Sequence, residues 1–157
     1  FRGTPMMVQL LITYYVIFAS VSIKPVIVAV IAFGLNSGAY VAEAIRAGMM
    51  SIPIGQFEAG RSLGFTYGQT MRYIIMGQAI KNALPAMCNE FIALLKETSV
   101  AGYVAVTDLT KAGSSISAST YSYYMPLLTV ALVYLVIVML LTKLVGILER
   151  RMRKNER

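Results

Sequence analysis

The chain has 157 residues, of which 57% are hydrophobic and only 13% charged, and its mean hydropathy of +0.68 lies far above that of an ordinary soluble domain. One cysteine, Cys88, excludes an internal disulfide, and the absence of histidine removes the commonest metal ligand and general base, so neither a catalytic set nor a metal site is expected. The net charge of +7 is read by position rather than as a nucleic-acid footprint, because basic residues in so apolar a chain chiefly set membrane orientation.

Four segments satisfy the demand for roughly 20 apolar residues to cross a bilayer core, which predicts an all-α, polytopic membrane helix bundle. The first runs from about Thr4 to Ser22, with Gln9, Thr13, Tyr14 and Tyr15 giving it a polar side. A second follows Lys24 and Pro25, meets no charge until Glu43, and carries Asn36 to Tyr40 (NSGAY), where Gly34, Ser37, Gly38 and Ala42 favour close helix packing. The third, about Leu84 to Val106, contains Glu90, Lys96 and Glu97. The fourth lies in the 31-residue uncharged interval between Lys111 and Lys143 and is expected to start at Pro126, a residue suited to a first helical turn. Ser114 to Ser122, rich in Ser and Thr, reads as an outer loop or re-entrant turn. No charged n-region and cleavage site precede the first span, so no signal peptide is expected and the chain reads as truncated at its start.

With four spans, the N-terminus, the 43–81 interval and the C-terminal tail share one side. They hold Arg2, Arg46, Arg61, Arg72, Lys81, Lys143, Arg150, Arg151, Arg153, Lys154 and Arg157, eleven of the fourteen basic residues. Lys24 and Lys111 fall on the other side and Lys96 within the membrane. The positive-inside rule then puts the long loop and both termini in the cytoplasm, with Tyr121, Tyr123 and Tyr124 at the outer interface and the RRMRK tail against anionic lipid.

Between the second and third spans, Gly55 to Ile80 is amphipathic, within a loop taken as residues 49–80. Pro53 and Gly55 predict a turn, Gln56 to Leu63 two helical turns, and Gly64 a stop able to take positive φ. Thr66 and Gln69 form a capping-box pattern that starts a second helix. Glu58 and Arg61, three apart, are placed to pair. Ala59, Gly60 and Gly64 keep the short helix slim, so a partner surface can approach it. Spacing alone leaves two readings open, a docking element or an amphipathic helix resting on lipid headgroups.

This loop resembles the EAA loop of ABC transporter permease subunits, whose pattern is Glu-Ala-Ala, three residues, Gly, nine residues, then Ile-x-Leu-Pro. Glu58, Ala59, Gly60, Gly64 and Ile74 fall on it in register, while Gly60 replaces the second Ala and Met76-Gly77 stand where Leu-Pro is usual. FRGTP at Phe1 to Pro5, LNSGAYVAEAIRAG at Leu35 to Gly48 and NALPAMCNEFIALLKETS at Asn82 to Ser99 extend the resemblance to the polar amino acid subfamily over nearly the whole chain. It implies a bacterial inner-membrane importer with five spans per subunit, four of them here. It also implies three partners: an ATP-binding cassette ATPase, an extracytoplasmic solute-binding protein and a second permease subunit, the same chain or a paralogue. This chain has no GxxxxGK[ST] phosphate loop, so no cofactor is expected in it; ATP and Mg belong to the ATPase. Glu58, Ala59, Gly60, Arg61 and Gly64 are the expected ATPase-coupling residues.

The substrate path is sought on the third span. Glu90 and Glu97, seven apart, share one stripe, and Asn89 and Lys96 a second, a quarter to a third of a turn away. An ionisable group at a helix centre costs about 2.5–3.5 kcal/mol on insertion scales, so these residues face a cavity or a partner charge, a role that bundle-holding ion pairs would also satisfy. The candidate path residues are Glu97, Thr98, Lys96, Asn36, Gln9, Tyr14 and Glu90. The alternative function is an ion-coupled secondary amino acid transporter with Glu97 and Lys96 as coupling groups, which leaves the EAA-like loop unexplained. An intramembrane enzyme is excluded by the lack of His and by a single Asp, Asp108, near the outer surface.

Overall fold

A computed structural model describes residues 3–154, and every regular element among them is helical. The expectations placed on Phe1, Arg2 and Arg157 lie outside the described residues. The helices are α1 (Met6–Ile12, continued by one π turn, Thr13–Ile17), α2 (Pro25–Met50), α3 (Ile54–Ser62), α4 (Tyr67–Thr70, continued by a π turn, Met71–Ile75), α5 (Met76–Glu97, continued by a 3-10 stretch, Thr98–Val104), α6 (Leu109–Thr120) and α7 (Tyr124–Lys154). By length and composition, α2 and the Tyr124–Arg151 part of α7 are long and apolar enough to cross a membrane; α1 with its π turn is apolar but shorter. α5 has the length, 22 residues or roughly 33 Å at 1.5 Å per residue, but carries charge.

The chain divides into two compact units, the residues up to Ala39 with Phe91–Leu144, and Tyr40–Glu90 with the chain from Val145 on. In the first, Met6 and Leu10 of α1, Ala29, Ala32 and Phe33 of α2, and Ala101 and Val104 of the 3-10 stretch form one buried cluster. Their spacing of three or four residues puts each set on one face of its helix. Where α1 widens into its π turn, the buried Thr13 hydroxyl donates to the Gln9 carbonyl at 2.7 Å and the Phe18 N–H reaches back five residues to the Thr13 carbonyl.

Three sequence expectations change here. Ser114 to Ser122 is not a loop: α6 runs through Thr120. The hydroxyls of Ser114, Ser115, Ser117 and Thr120 each donate to the carbonyl four residues earlier, so their polar groups are satisfied within the helix. Asp108 caps its start, and Tyr121, at φ +53, ends it. The last span begins at Tyr124, with Pro126 inside the first turn, where its missing N–H is not needed. The third span is not separate from the loop helix. α4, its π turn and α5 run without a break from Tyr67 to Glu97, because Met76-Gly77, unlike Leu-Pro, keeps both backbone donors; the one proline, Pro85, comes later.

In the second unit, Ile52, Ile75 and Ala79 form the core, with Met49, Phe57, Met71 and Ile74 packed around it. Gly48 lets α2 and α5 cross closely: a Cβ there would stand 2.6 Å from the Ala79 carbonyl oxygen. On α2, Arg46 and Glu43 form a bidentate ion pair.

Candidate functional site

The segment between α2 and α5 is a folded bracket whose two arms, α3 and α4, are each fixed by a local hydrogen-bonded motif. Pro53, at φ −57, precedes α3, which starts at Ile54, so Gly55 lies within the helix rather than in a turn. At the other end Gly64 adopts φ +82, its N–H bonds to the Arg61 carbonyl at 2.9 Å, and the Phe65 N–H bonds to the Gly60 carbonyl at 3.1 Å. This is a complete Schellman closure, and a Cβ at Gly64 would meet nothing within 4 Å, so within this chain its glycine answers to the backbone conformation. The second arm opens with the capping box read from sequence: the Gln69 N–H donates to Thr66 Oγ1 and the Thr66 N–H to Gln69 Oε1.

Side chains then clamp the arms together. Gly60 is buried, and a Cβ there would stand 2.5 Å from Thr70 Cγ2 and 3.1 Å from Ile74 Cδ1. Its small size is therefore consumed by packing inside the chain, which corrects the expectation that it offers a slim face to a partner. Phe57 stacks on Tyr67 with ring centroids 6.4 Å apart and planes 19° from parallel. Gln78 bonds Gln56 at 3.4 Å, and Asn82 donates to Ser51 at 2.8 Å.

Glu58, Ala59, Arg61 and Gly64 are exposed. Glu58 and Arg61 do not form the expected ion pair; both line a cleft of about 440 Å³ with Ile54, Phe57, Tyr67 and Thr70. Around it Ile54, Leu63 and Tyr67 are 76%, 72% and 68% exposed, an apolar rim of the kind that marks an interaction surface. The sequence reading missed these three. Ile54 opens α3, Leu63 is its C-cap and Tyr67 opens α4, so the three come together only when the two arms fold.

The candidate path residues fall mostly on the first unit's buried stripes. Gln9 is buried on α1, with its amide donating to the carbonyl and hydroxyl of Thr4 at 3.1 and 2.7 Å. Asn36, 3% exposed, continues the Ala29, Ala32, Phe33 stripe of α2. Tyr14 is half-buried, packs on the core cluster and meets Tyr15 edge-on at 4.8 Å. Glu97 and Thr98 are partly buried where α5 tightens into the 3-10 stretch, and Thr98 donates to the Leu95 carbonyl at 2.7 Å. The two stripes of α5 separate: Glu90 and Glu97 are partly buried, Asn89 and Lys96 exposed. Lys96 is thus not among the enclosed groups, and Glu90 belongs to the other unit.

Helices able to span a bilayer, with a folded bracket between α2 and α5, define an integral membrane component. The family model for the binding-protein-dependent transport system inner membrane component matches residues 1–154. The chain is 42% identical to the putative glutamine transport system permease protein GlnP of Rickettsia typhi, over 99% of this chain and 72% of that protein. It is 39% identical to the arginine transport system permease protein ArtQ of Bacillus subtilis, with the same coverage. It is also 39% identical to the L-cystine transport system permease protein TcyB of Bacillus subtilis, over 96% of this chain and 65% of that one. A crystal structure of an amino acid ABC transporter with histidines superposes with a TM-score of 0.90 at 44% identity, covering 96% of this chain and 71% of that chain. The chain belongs to the family of binding-protein-dependent transport system inner membrane components, the membrane permeases of ABC transporters, and is not itself an enzyme. Nothing in the fold or these relatives supports the ion-coupled alternative.

Proposed function

We propose that this chain is the permease subunit of an importer of polar amino acids, that a separate ATPase docks on the α3 bracket, and that residues 49–80 are the coupling loop of a single membrane domain. The observation that carries this reading is the bracket itself. Both of its arms are locked from within, yet it presents Glu58, Arg61 and an apolar rim outward, so force applied by a partner passes into α2 and α5 instead of being absorbed by a pliant loop.

In this reading the loop and both termini face the cytoplasm, as the distribution of basic residues favours. An extracytoplasmic binding protein delivers the amino acid. Two permease subunits then alternate between outward and inward openings. ATP binding to the paired ATPases favours the membrane conformation whose brackets fit the closed pair, and by linkage that conformation strengthens ATP binding. Glu97, Thr98, Asn36, Gln9 and Tyr14 line the path. They lie on buried faces of α1, α2 and α5, where polar groups are costly unless they meet a ligand or one another.

Reconstitution into proteoliposomes tests the proposal. Uptake of labelled amino acid is expected to require ATP, the ATPase and the binding protein, and to ignore imposed ion gradients. Uptake driven by an ion gradient without the ATPase would overturn it. Glu58→Lys is expected to lose ATPase co-purification, whereas Glu97→Gln is expected to keep it and change substrate affinity.

A further inference from the structure

The basic end of α7 is used neither by the bracket nor by the buried stripes. α7 is one helix from Tyr124 to Lys154, and no charged residue enters it before Lys143. At 1.5 Å per residue the uncharged part is about 28 Å long, which by itself matches the roughly 30 Å hydrocarbon core of a bilayer. The chain then stays helical for about another 16 Å, further than a span requires. Three features of this extension point to a ligand. First, Arg150 and Arg151 are exposed and make no hydrogen bond or ion pair among the described residues, and Arg153 and Lys154 follow them in the sequence. Glu149, the only acid of the extension from Val145 to Lys154, pairs with neither arginine. Second, the extension is not purely polar. Ile147 and Leu148 are 53% and 44% exposed, and Arg150 and Arg151 stand three and four residues on from Ile147, so the apolar and the basic side chains share one face. Third, the chain from Val145 on belongs to the same compact unit as the bracket.

Exposed apolar residues beside unpaired cations are the face of an interfacial helix, whose apolar part enters the headgroup boundary while its cations meet phosphate. An acidic protein surface would answer the arginines alone. A lipid surface answers the arginines and the apolar residues together, and it is at hand where α7 leaves the bilayer. We propose that residues 145–154 form a binding site for anionic phospholipid headgroups, and that its occupancy holds the unit carrying the bracket against the membrane surface and so governs ATP-driven uptake. Ile147 and Leu148 lie at the acyl boundary, and the guanidinium groups of Arg150 and Arg151 donate paired N–H bonds to phosphate oxygens, a fit that a planar fork makes better than a point charge. Phosphatidylcholine, which carries a cation of its own beside the phosphate, is a poor substitute. The inference rests on the reading of α7 as a span whose C-terminal end faces the cytoplasm.

The test titrates phosphatidylglycerol, with phosphatidylcholine as comparator, into the detergent-solubilised assembly of permease and ATPase and reads the bound lipid by native mass spectrometry. Wild type is expected to prefer phosphatidylglycerol. Arg150→Gln and Arg151→Gln together are expected to weaken its binding about 25-fold, or about fivefold per arginine, with an unchanged melting temperature. Arg150→Lys with Arg151→Lys is expected to keep most of the affinity, and Lys111→Gln, at an exposed position on α6, to keep all of it. In proteoliposomes, replacing phosphatidylglycerol by phosphatidylcholine is expected to slow wild-type uptake severalfold. The double Gln variant should run at that low rate in both lipids while still co-purifying with the ATPase. Unchanged phosphatidylglycerol affinity in the double Gln variant, an equal loss in Lys111→Gln, or wild-type uptake indifferent to lipid charge overturns the inference. Loss of ATPase co-purification with phosphatidylglycerol affinity intact also overturns it, by assigning the arginines to a protein partner. Absence of ATP-driven uptake by wild type in every lipid, with selective phosphatidylglycerol binding kept, overturns the transport reading and leaves the lipid site standing.

Discussion

The bracket and the buried stripes of the first unit hold their candidate residues in opposite ways. In the bracket, backbone motifs do the fixing: a Schellman closure at Gly64 and a capping box at Thr66 set two short arms, and the polar residues Glu58 and Arg61 are left outside. In the first unit, side-chain packing does the fixing, and the polar residues Gln9 and Asn36 are carried inside on otherwise apolar faces. If, as proposed, the bracket is gripped by a partner and the stripes line a path, the first has to be stiff and accessible and the second enclosed. Changes to the bracket should therefore fail through its shape, and changes to the stripes through what they bind.

The largest effect that contrast predicts is at Gly60. Gly60→Leu drives a side chain into Thr70 and Ile74; overpacking costs about 1–3 kcal/mol, and separating the arms should abolish ATPase co-purification and ATP-driven uptake. A partner-contact role for Gly60 would instead leave the isolated permease as stable as wild type, which a thermal melt in detergent decides. Gly64→Ala comes next. It has room for its methyl group but must hold φ +82, at a cost of about 1–2 kcal/mol, so a partial loss of coupling is expected. Thr66→Ala removes the cap of α4 for about 1 kcal/mol, and Thr66→Ser should restore it, as read by the same melt. Smallest in stability is Asn36→Ala, which removes a buried amide without touching the bracket; it should keep ATPase binding and shift substrate affinity or preference in uptake assays.

The bracket was legible in sequence because its motifs are local. Thr66 and Gln69 satisfy each other within one turn, and Gly64 answers a local backbone need. The role of Gly60 was not legible, since a glycine that admits an outside partner and one that admits Thr70 from the same chain look alike until the arms are folded together. The Ser-rich α6 was misread for a related reason. Composition reports that hydroxyls compete with the backbone, but not that each of these bonds a carbonyl one turn back. The long helix from Tyr67 was hidden by treating the amphipathic loop and the apolar span as separate elements, when the Met76-Gly77 junction keeps every backbone donor that Leu-Pro would have removed. Of the α5 stripes, the seven-residue spacing correctly grouped Glu90 with Glu97 and Asn89 with Lys96. Which stripe is enclosed depended on the neighbours that the fold supplies.

The most direct test of the bracket as the ATPase grip is maleimide labelling of Ala59→Cys, an exposed position on α3, in a Cys88→Ser background. Ser115→Cys, an exposed position on α6 in the first unit, serves as the control. Adding the ATPase is expected to protect Ala59→Cys strongly and to leave Ser115→Cys labelled at its original rate. Equal labelling of Ala59→Cys with and without bound ATPase would contradict the account.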